Sequence, residues 1–395
     1  MTRRQFAFFQ LFSLTALHFY VDLLSGTIPG FLPVLLERFS LTTAQGSLLF
    51  ALCCFTANAL QLWAGAIRKE TRKPLLIQLG LVLASAICFI VFVPVGPNSY
   101  WYLVLLVLLT GAGVAMLHPE GLRGICGVDA VSVSPPVATS IFMLAGFFGS
   151  SCGTLASGML VQFCGLGGLL WLLPLVPVLL WFFYRSRLKL APSTPVQKGN
   201  RNAGKIPECP LTFWELFIVA TLINTGCSAL QGMLPMYLKS VNFSLAFSAA
   251  SAMFFGLGAG VGALFTSKVL IHKFAIMPLL ETQLFCGIPL LFIYLCFAGE
   301  YAGLIWMPLV TGMLLGAGFP QIVTLVRGSA GALSLGTRMG LIVGGTWGVA
   351  GGFFYLIGVF ADYLGQHTAL FFSPGCFLAA VLLMRFYRAQ KLVKR

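Results

Sequence analysis

The chain has 395 residues, 58% of them hydrophobic and only 9% charged, where an ordinary soluble domain carries about 25% charged residues. Its formal net charge of +14 sits in short loops between apolar runs, where membrane orientation signals sit, rather than on a nucleic-acid surface. Eleven Cys and twelve Met are scattered without a CxxC pair or a Cys/His cluster, so neither a disulfide framework, a metal site nor a cofactor is expected.

Apolar runs long enough for a hydrocarbon core of ~20 helical residues recur along the whole chain. They predict an all-α integral membrane protein with twelve transmembrane helices. The first run, near 5–28, is too long for a cleavable leader and lacks a small-residue cleavage site. It holds HFYVDLLSG at 18–26, with His18 and Asp22 one helical turn apart. An ion inside the bilayer costs at least ~2.5–3.5 kcal/mol, so such residues face a cavity and pair. A His–Asp pair that takes up a proton becomes tolerable to the membrane, and proton coupling is the functional reading. The bland reading is a fixed structural pair. Orientation by charge, below, places the pair in the outer half of this span.

The second run, near 42–67, leads into the basic loop GAIRKETRK at 65–73, which contains Arg68 and Lys69. Runs near 74–95 and 100–122 follow, the latter closing on His118, Pro119, Glu120 and Arg123. His118 and Glu120 are a second pair of candidate proton carriers. Arg123 is either an anion clamp or the neutraliser of Glu120, and a snorkelling boundary cluster is the alternative. Pro119 removes a backbone donor and frees carbonyls to line a cavity. Runs near 135–163 and 166–184 complete a first six-helix bundle, 1–184. The stretch 185–211 carries four Pro and six basic residues within 185–210 and reads as a cytoplasmic linker.

Six further runs, near 212–237, 245–268, 275–297, 301–326, 334–360 and 366–387, form a second bundle, 212–395. The halves look like copies. Pro33 aligns with Pro235, Pro119 with Pro320, and GMLVQFCG (158–165) with GVFADYLG (358–365). In this alignment Asn224 stands opposite Asp22, and Gln321 opposite Glu120. The first half has carboxylates where the second has amides, which keep hydrogen-bonding capacity without a titratable charge. Protons are thereby assigned to the first half, and neutral substrate contacts to Asn224, Gln231 and Gln321. Small-residue stripes (Ala145, Gly149, Gly153; Ser248, Ala252, Gly256, Gly260; Gly340, Gly344, Gly348, Gly352) mark close helix packing. They are equally suited to static packing and to surfaces on which the halves rock.

With the N-terminus inside, every Lys and Arg except Arg38 and Lys239 falls on the cytoplasmic side. Both termini are therefore expected to be cytoplasmic. Tyr100, Trp101, Trp181 and Tyr184 sit at the proposed interfaces as aromatic anchors.

Paired six-span halves with inside termini resemble the major facilitator superfamily. Finer motifs resemble its fosmidomycin-resistance-type branch: His18-x3-Asp22, Leu32-Pro33, Phe39-Ser40-Leu41, Gln61-x3-Gly65, His118-Pro119-Glu120 and Gly358-x3-Asp362-x2-Gly365. The resemblance implies a bacterial inner-membrane, monomeric exporter driven by proton entry. It also implies a gating loop after the second span, usually G-x-x-x-D-R-x-G-R-R/K. Here Lys69 replaces the Asp and Leu62 the branch's usual Pro, so Arg68, Lys69 and the acid Asp362 are the gating candidates.

The function expected is export of small amphipathic or anionic compounds, with protons and membrane lipids as the other partners. Uptake of an organic anion by proton symport and a non-transporting receptor are the alternatives. A membrane enzyme using His118 and Glu120 has no nucleophile motif or ligand spacing behind it, and no Walker-type motif points to direct use of ATP.

Overall fold

The computed structural model describes residues 2–67, 71–129, 131–191 and 209–393. Lipid offers no partner to an exposed N–H or C=O, so a spanning backbone must satisfy itself as helix or closed barrel. Among the described residues this chain is helical, with one isolated bridge between Thr212 and Ala330. The first half comprises α1 (Arg3–Arg38), α2 (Thr43–Ile67), α3 (Leu75–Ala84), α4 (Ser99–Gly127), α5 (Pro135–Cys164) and α6 (Leu175–Ser186). The second comprises α7 (Phe213–Ser240), α8 (Leu245–Lys268), α9 (Ile276–Phe297), α10 (Met307–Thr311), α11 (Gly318–Arg327), α12 (Leu335–Gly340), α13 (Thr346–Leu364), α14 (Gln366–Leu370) and α15 (Phe372–Val393). Widened π-type turns at Gly312–Gly316 and Leu341–Gly345 join α10 to α11 and α12 to α13.

Eleven helical stretches among the described residues are long and apolar enough to cross a membrane, and the chain is a multi-pass membrane protein. One stretch, Val137–Ser186, has 50 residues, about 75 Å of helix at 1.5 Å per residue, and it doubles back. α5 ends at Gly165, whose φ of +61° suits a residue without Cβ. Beyond the turn the chain returns along α1: the Tyr20 hydroxyl donates to the Leu172 carbonyl, and Gln10 to that of Ser186 at 3.1 Å. On the way up, α5 presses its glycines on the same helix. A Cβ at Gly149 or Gly153 would lie 2.1 Å from the carbonyl oxygen of Phe19 or Leu23. The stripe in span five thus serves packing within the first half.

Local backbone supports the internal alignment. Ser40 and Asn242, 202 positions apart, both turn at positive φ (51° and 70°) after a proline-containing helix. Gly165 and Gly365, 200 apart, both end helices at positive φ. Threonine capping boxes open α1 at Thr2 and α7 at Thr212.

Between the halves, α2 packs on α13 and α5 on α8. The first seam is tight at one end and loosens toward the other. A Cβ at Gly358 would meet Ser47 Oγ at 2.3 Å, at Gly351 the Ala51 carbonyl at 3.2 Å, and at Gly348 nothing nearer than Phe55 at 3.7 Å. Trp101, Trp171, Tyr184 and Tyr363 are largely exposed on the outside of the bundle, where lipid rather than water would meet them.

Two expectations are corrected. α1 is 36 residues long, and His18 and Asp22 sit near its middle rather than in an outer half. The linker does not begin as free chain at 185: Leu188 and Leu190 are buried, Leu190 N–H donates to the Arg72 carbonyl at 3.0 Å, and Ala191 N–H to that of Arg123 at 3.1 Å. The remainder, 192–208, and the gating candidates Arg68 and Lys69 lie outside the described residues.

Candidate functional site

A cavity of about 270 Å³ opens between the halves. Its walls come from α1, α2, α4 and α5 on one side, and from Gln231, Ala252, Phe319, Val343 and Trp347 on the other. At its first-half wall His18 and Asp22 are joined by His118 of α4, a partner 100 positions away. His18 Nε2 lies 3.2 Å from Asp22 Oδ2 and 3.2 Å from His118 Nε2, and His118 Nε2 lies 3.8 Å from Asp22 Oδ2.

The other ring nitrogens decide what these atoms are. His18 Nδ1 is 2.7 Å from the Phe142 carbonyl oxygen and His118 Nδ1 is 2.8 Å from that of Val114. A carbonyl only accepts, so each Nδ1 carries the hydrogen and each neutral ring turns its Nε2 lone pair inward. With both rings neutral, two lone pairs and a carboxylate oxygen face one another, and a proton on one Nε2 or another cation between them relieves the repulsion. The rings are held for it: His18 is buried and stacked on Phe142 at 3.9 Å, with His118 edge-on at 4.8 Å.

Space for the cluster comes from Gly146 of α5. A Cβ there would lie 2.5 Å from Asp22 Oδ2 and 2.6 Å from His18 Cε1. The second half shows the same position filled. Asn224, opposite Asp22, donates through Nδ2 to the Thr346 hydroxyl at 2.9 Å, and Thr346 stands 200 positions after Gly146. Asn224 Oδ1 is buried with no partner among the described residues. It lines a small annex of about 50 Å³ that shares Gln231, Phe319 and Trp347 with the main cavity.

Glu120 and Arg123 do not join this site. Glu120 is buried and accepts from the N–H groups of Leu76 and Ile77 at 2.8 and 3.4 Å, in the first turn of α3. Arg123 donates to the carbonyls of Ala191 at 3.0 Å and Thr71 at 2.5 Å. His118 and Glu120 are two residues apart, so α4 turns them to opposite sides. Removing the Glu120 carboxylate strands buried donors, at about 1–3 kcal/mol. Glu120→Ala should therefore lower the unfolding temperature of detergent-purified protein, Glu120→Gln should recover most of it, and an unchanged Glu120→Ala would deny the capping role. Gln321 lies off both cavities and donates to Gln283, which donates to Thr266 at 2.8 Å.

At the tight end of the seams, Asp362 accepts from Thr43 N–H at 2.7 Å and Ala44 N–H at 3.0 Å, the free donors that open α2. Gln162 accepts from Ala246 N–H at 2.8 Å at the start of α8. Residues 162 and 362 are 200 apart, and 44 and 246 are 202 apart, so the contacts are equivalents in the two halves. Gln162 went unread in sequence, although the alignment of 158–165 with 358–365 sets it opposite Asp362. Asn58, Ser150, Ser151 and Trp347 were also unread. A polar residue inside an apolar run was the available signal for the first three.

A helical membrane bundle of two packed halves around a central, partly polar cavity is the build of a transporter. The sequence profile of the Major Facilitator Superfamily matches residues 14–354, and the chain belongs to that superfamily. Among solved structures it is similar to a bacterial homolog of the human lysosomal transporter Spinster, inward-facing and occupied. The TM-score is 0.71 at 16% identity, over 96% of this chain and 94% of that one. It is also similar to a mutant of the nucleoside transporter NupG, with a TM-score of 0.73 at 10% identity over 96% and 99%. A third similar structure is a POT family transporter in complex with a thioalcohol-conjugated peptide, at 0.70 and 14% over 96% of both chains. At these identities the likeness is one of fold. No curated protein matches the chain.

Proposed function

We propose that the chain is a proton-coupled secondary transporter of twelve spans, with six-helix bundles on either side of the stretch 192–208 and both termini in the cytoplasm of a bacterial inner membrane. The reading carries forward the monomeric, efflux-type direction that the family resemblance implies. The observation that carries it is the convergence of three acceptors, His18 Nε2, Asp22 Oδ2 and His118 Nε2, on the central cavity. A proton is the cation that every such membrane supplies, and a site between two rocking halves delivers it from one side to the other. Asn224 and Gln231 contact the substrate, against the aromatic faces of Phe319 and Trp347. The cavity's described lining includes one acid, Asp22, and no Lys or Arg, so an amphipathic neutral or cationic compound suits it and an anionic one does not. Arg123 is accordingly a tie between loops rather than a clamp.

On this reading the tight ends of the seams are the closed outer side, and Asp362 and Gln162 serve as its latches. The test of the function is proton movement in proteoliposomes carrying a pH-sensitive dye. Addition of a transported amphipathic compound should shift internal pH, and a compound that crosses with no proton movement overturns coupling. The latch has its own test, with Cys54 of the cavity wall as the one retained thiol. Loss of charge-assisted bonds worth about 1.5–3 kcal/mol each in Asp362→Ala should raise its labelling by an impermeant maleimide from outside by about 10-fold or more. Asp362→Asn should give a smaller rise, and an Asp362→Ala rate equal to wild type removes Asp362 from the gate.

A further inference from the structure

We infer that His18, Asp22 and His118 form a binding site for a divalent first-row transition-metal ion. The inference rests on the reading of the central cavity as the transport path and names a cation class that the path accepts besides the proton.

The distances make the case. A tetrahedral ion with ligands at ~2.0–2.2 Å sets its ligand atoms about 3.3–3.6 Å from one another. The three separations here are 3.2, 3.2 and 3.8 Å, so an ion fits with shifts of a few tenths of an ångström. A single proton bridges one pair of these atoms well and leaves the third facing it at an angle. A metal ion satisfies all three at once.

The surroundings are those of a metal site. Each imidazole donates its other nitrogen's hydrogen to a backbone carbonyl, Phe142 for His18 and Val114 for His118. This is the outer contact that fixes the tautomer and orientation of a ligating histidine. Asp22 and His118 are part-exposed, at 15% and 20% of the side chain, which gives an ion access. The cavity that all three residues line leaves room for a fourth ligand such as water. Two imidazoles and a carboxylate suit Zn²⁺, Co²⁺ or Ni²⁺ rather than Mg²⁺ or Ca²⁺. No Lys or Arg appears in the described lining to oppose a cation, and the thiols of Cys53 and Cys54 stand in the same wall.

The test uses tag-free, full-length protein in detergent with Co²⁺ as probe. Wild type should bind one equivalent, with visible bands of tetrahedral nitrogen and oxygen ligation and no thiolate charge-transfer band. Asp22→Asn and His118→Gln should each weaken binding by more than the roughly 10–100-fold that loss of an outer-shell partner costs. The Gly352→Ala variant, whose added Cβ meets nothing within 4 Å, should bind as wild type does. Wild type that takes up no Co²⁺, or binding unchanged in both cluster variants, overturns the inference. Since the wild-type spectrum reads the ligands directly, a variant that fails to fold does not decide the matter. Proteoliposomes separate this from the transport reading. Bound Co²⁺ that is neither carried nor inhibitory to proton-linked exchange keeps the metal site and sinks the cavity as the path. Proton-linked exchange lost in Asp22→Asn, with no Co²⁺ bound by wild type, does the reverse.

Discussion

Asp22→Asn should abolish accumulation driven by a pH gradient while leaving counterflow of the same compound within a few-fold of wild type. Counterflow exchanges solute for solute and needs no net proton, so it reports the cavity alone. The substitution keeps size and hydrogen bonding and removes only the charge that the two imidazoles share with it. The protein contains its own control. Asn224 stands at the equivalent place, buried and bonded to Thr346 at 2.9 Å. Full gradient response in Asp22→Asn would refute proton coupling at this cluster.

A second large effect is expected from one methyl group. Gly146→Ala puts a Cβ 2.5 Å from Asp22 Oδ2 and 2.8 Å from His18 Nε2. His18 cannot yield, since it stacks on Phe142 and is bonded to that residue's carbonyl. Asp22 must swing into the cavity, and the three acceptors part. Coupled transport should fall to background, and overpacking should cost about 1–3 kcal/mol of stability. The matched control is Gly352→Ala in α13, where an added Cβ meets nothing within 4 Å. There the change should be neutral or stabilising by about 0.5–1 kcal/mol. Comparison of unfolding temperature and pH-driven uptake for the two variants settles the point. Normal uptake by Gly146→Ala would show that the cluster tolerates separation.

Much of this was legible in the chain. Apolar runs marked the helices, and the i, i+4 spacing marked His18 and Asp22 as one unit. What stayed hidden was the third member. His118 was grouped with Glu120 and Arg123 because they are neighbours in sequence, yet two residues of helix turn a side chain to the opposite side. The 100-residue separation of His18 from His118 is closed only by packing of α1 on α4 and α5. The role of Gly146 was hidden for another reason. A glycine in an apolar helix reads as a packing residue, and nothing in its own neighbourhood says that what packs there is a carboxylate. The amides opposite the acids were legible, but their partners Thr346 and Gln283 were not, because hydrogen bonds between spans leave no periodic trace.

The two contacts at the tight ends of the seams are equivalent in position and unequal in strength. Asp362 holds two N–H groups of α2 with a full charge, whereas Gln162 holds one N–H of α8 with a neutral amide. Bonds to an ionised acceptor are roughly twice as strong as neutral ones. In the proposed rocking motion the seam between α5 and α8 therefore parts first, and the seam between α2 and α13 acts as the hinge until Asp362 lets go. Opening at this end of the seams is then a swing in two stages rather than a symmetric spreading, with the α5–α8 side the first to part.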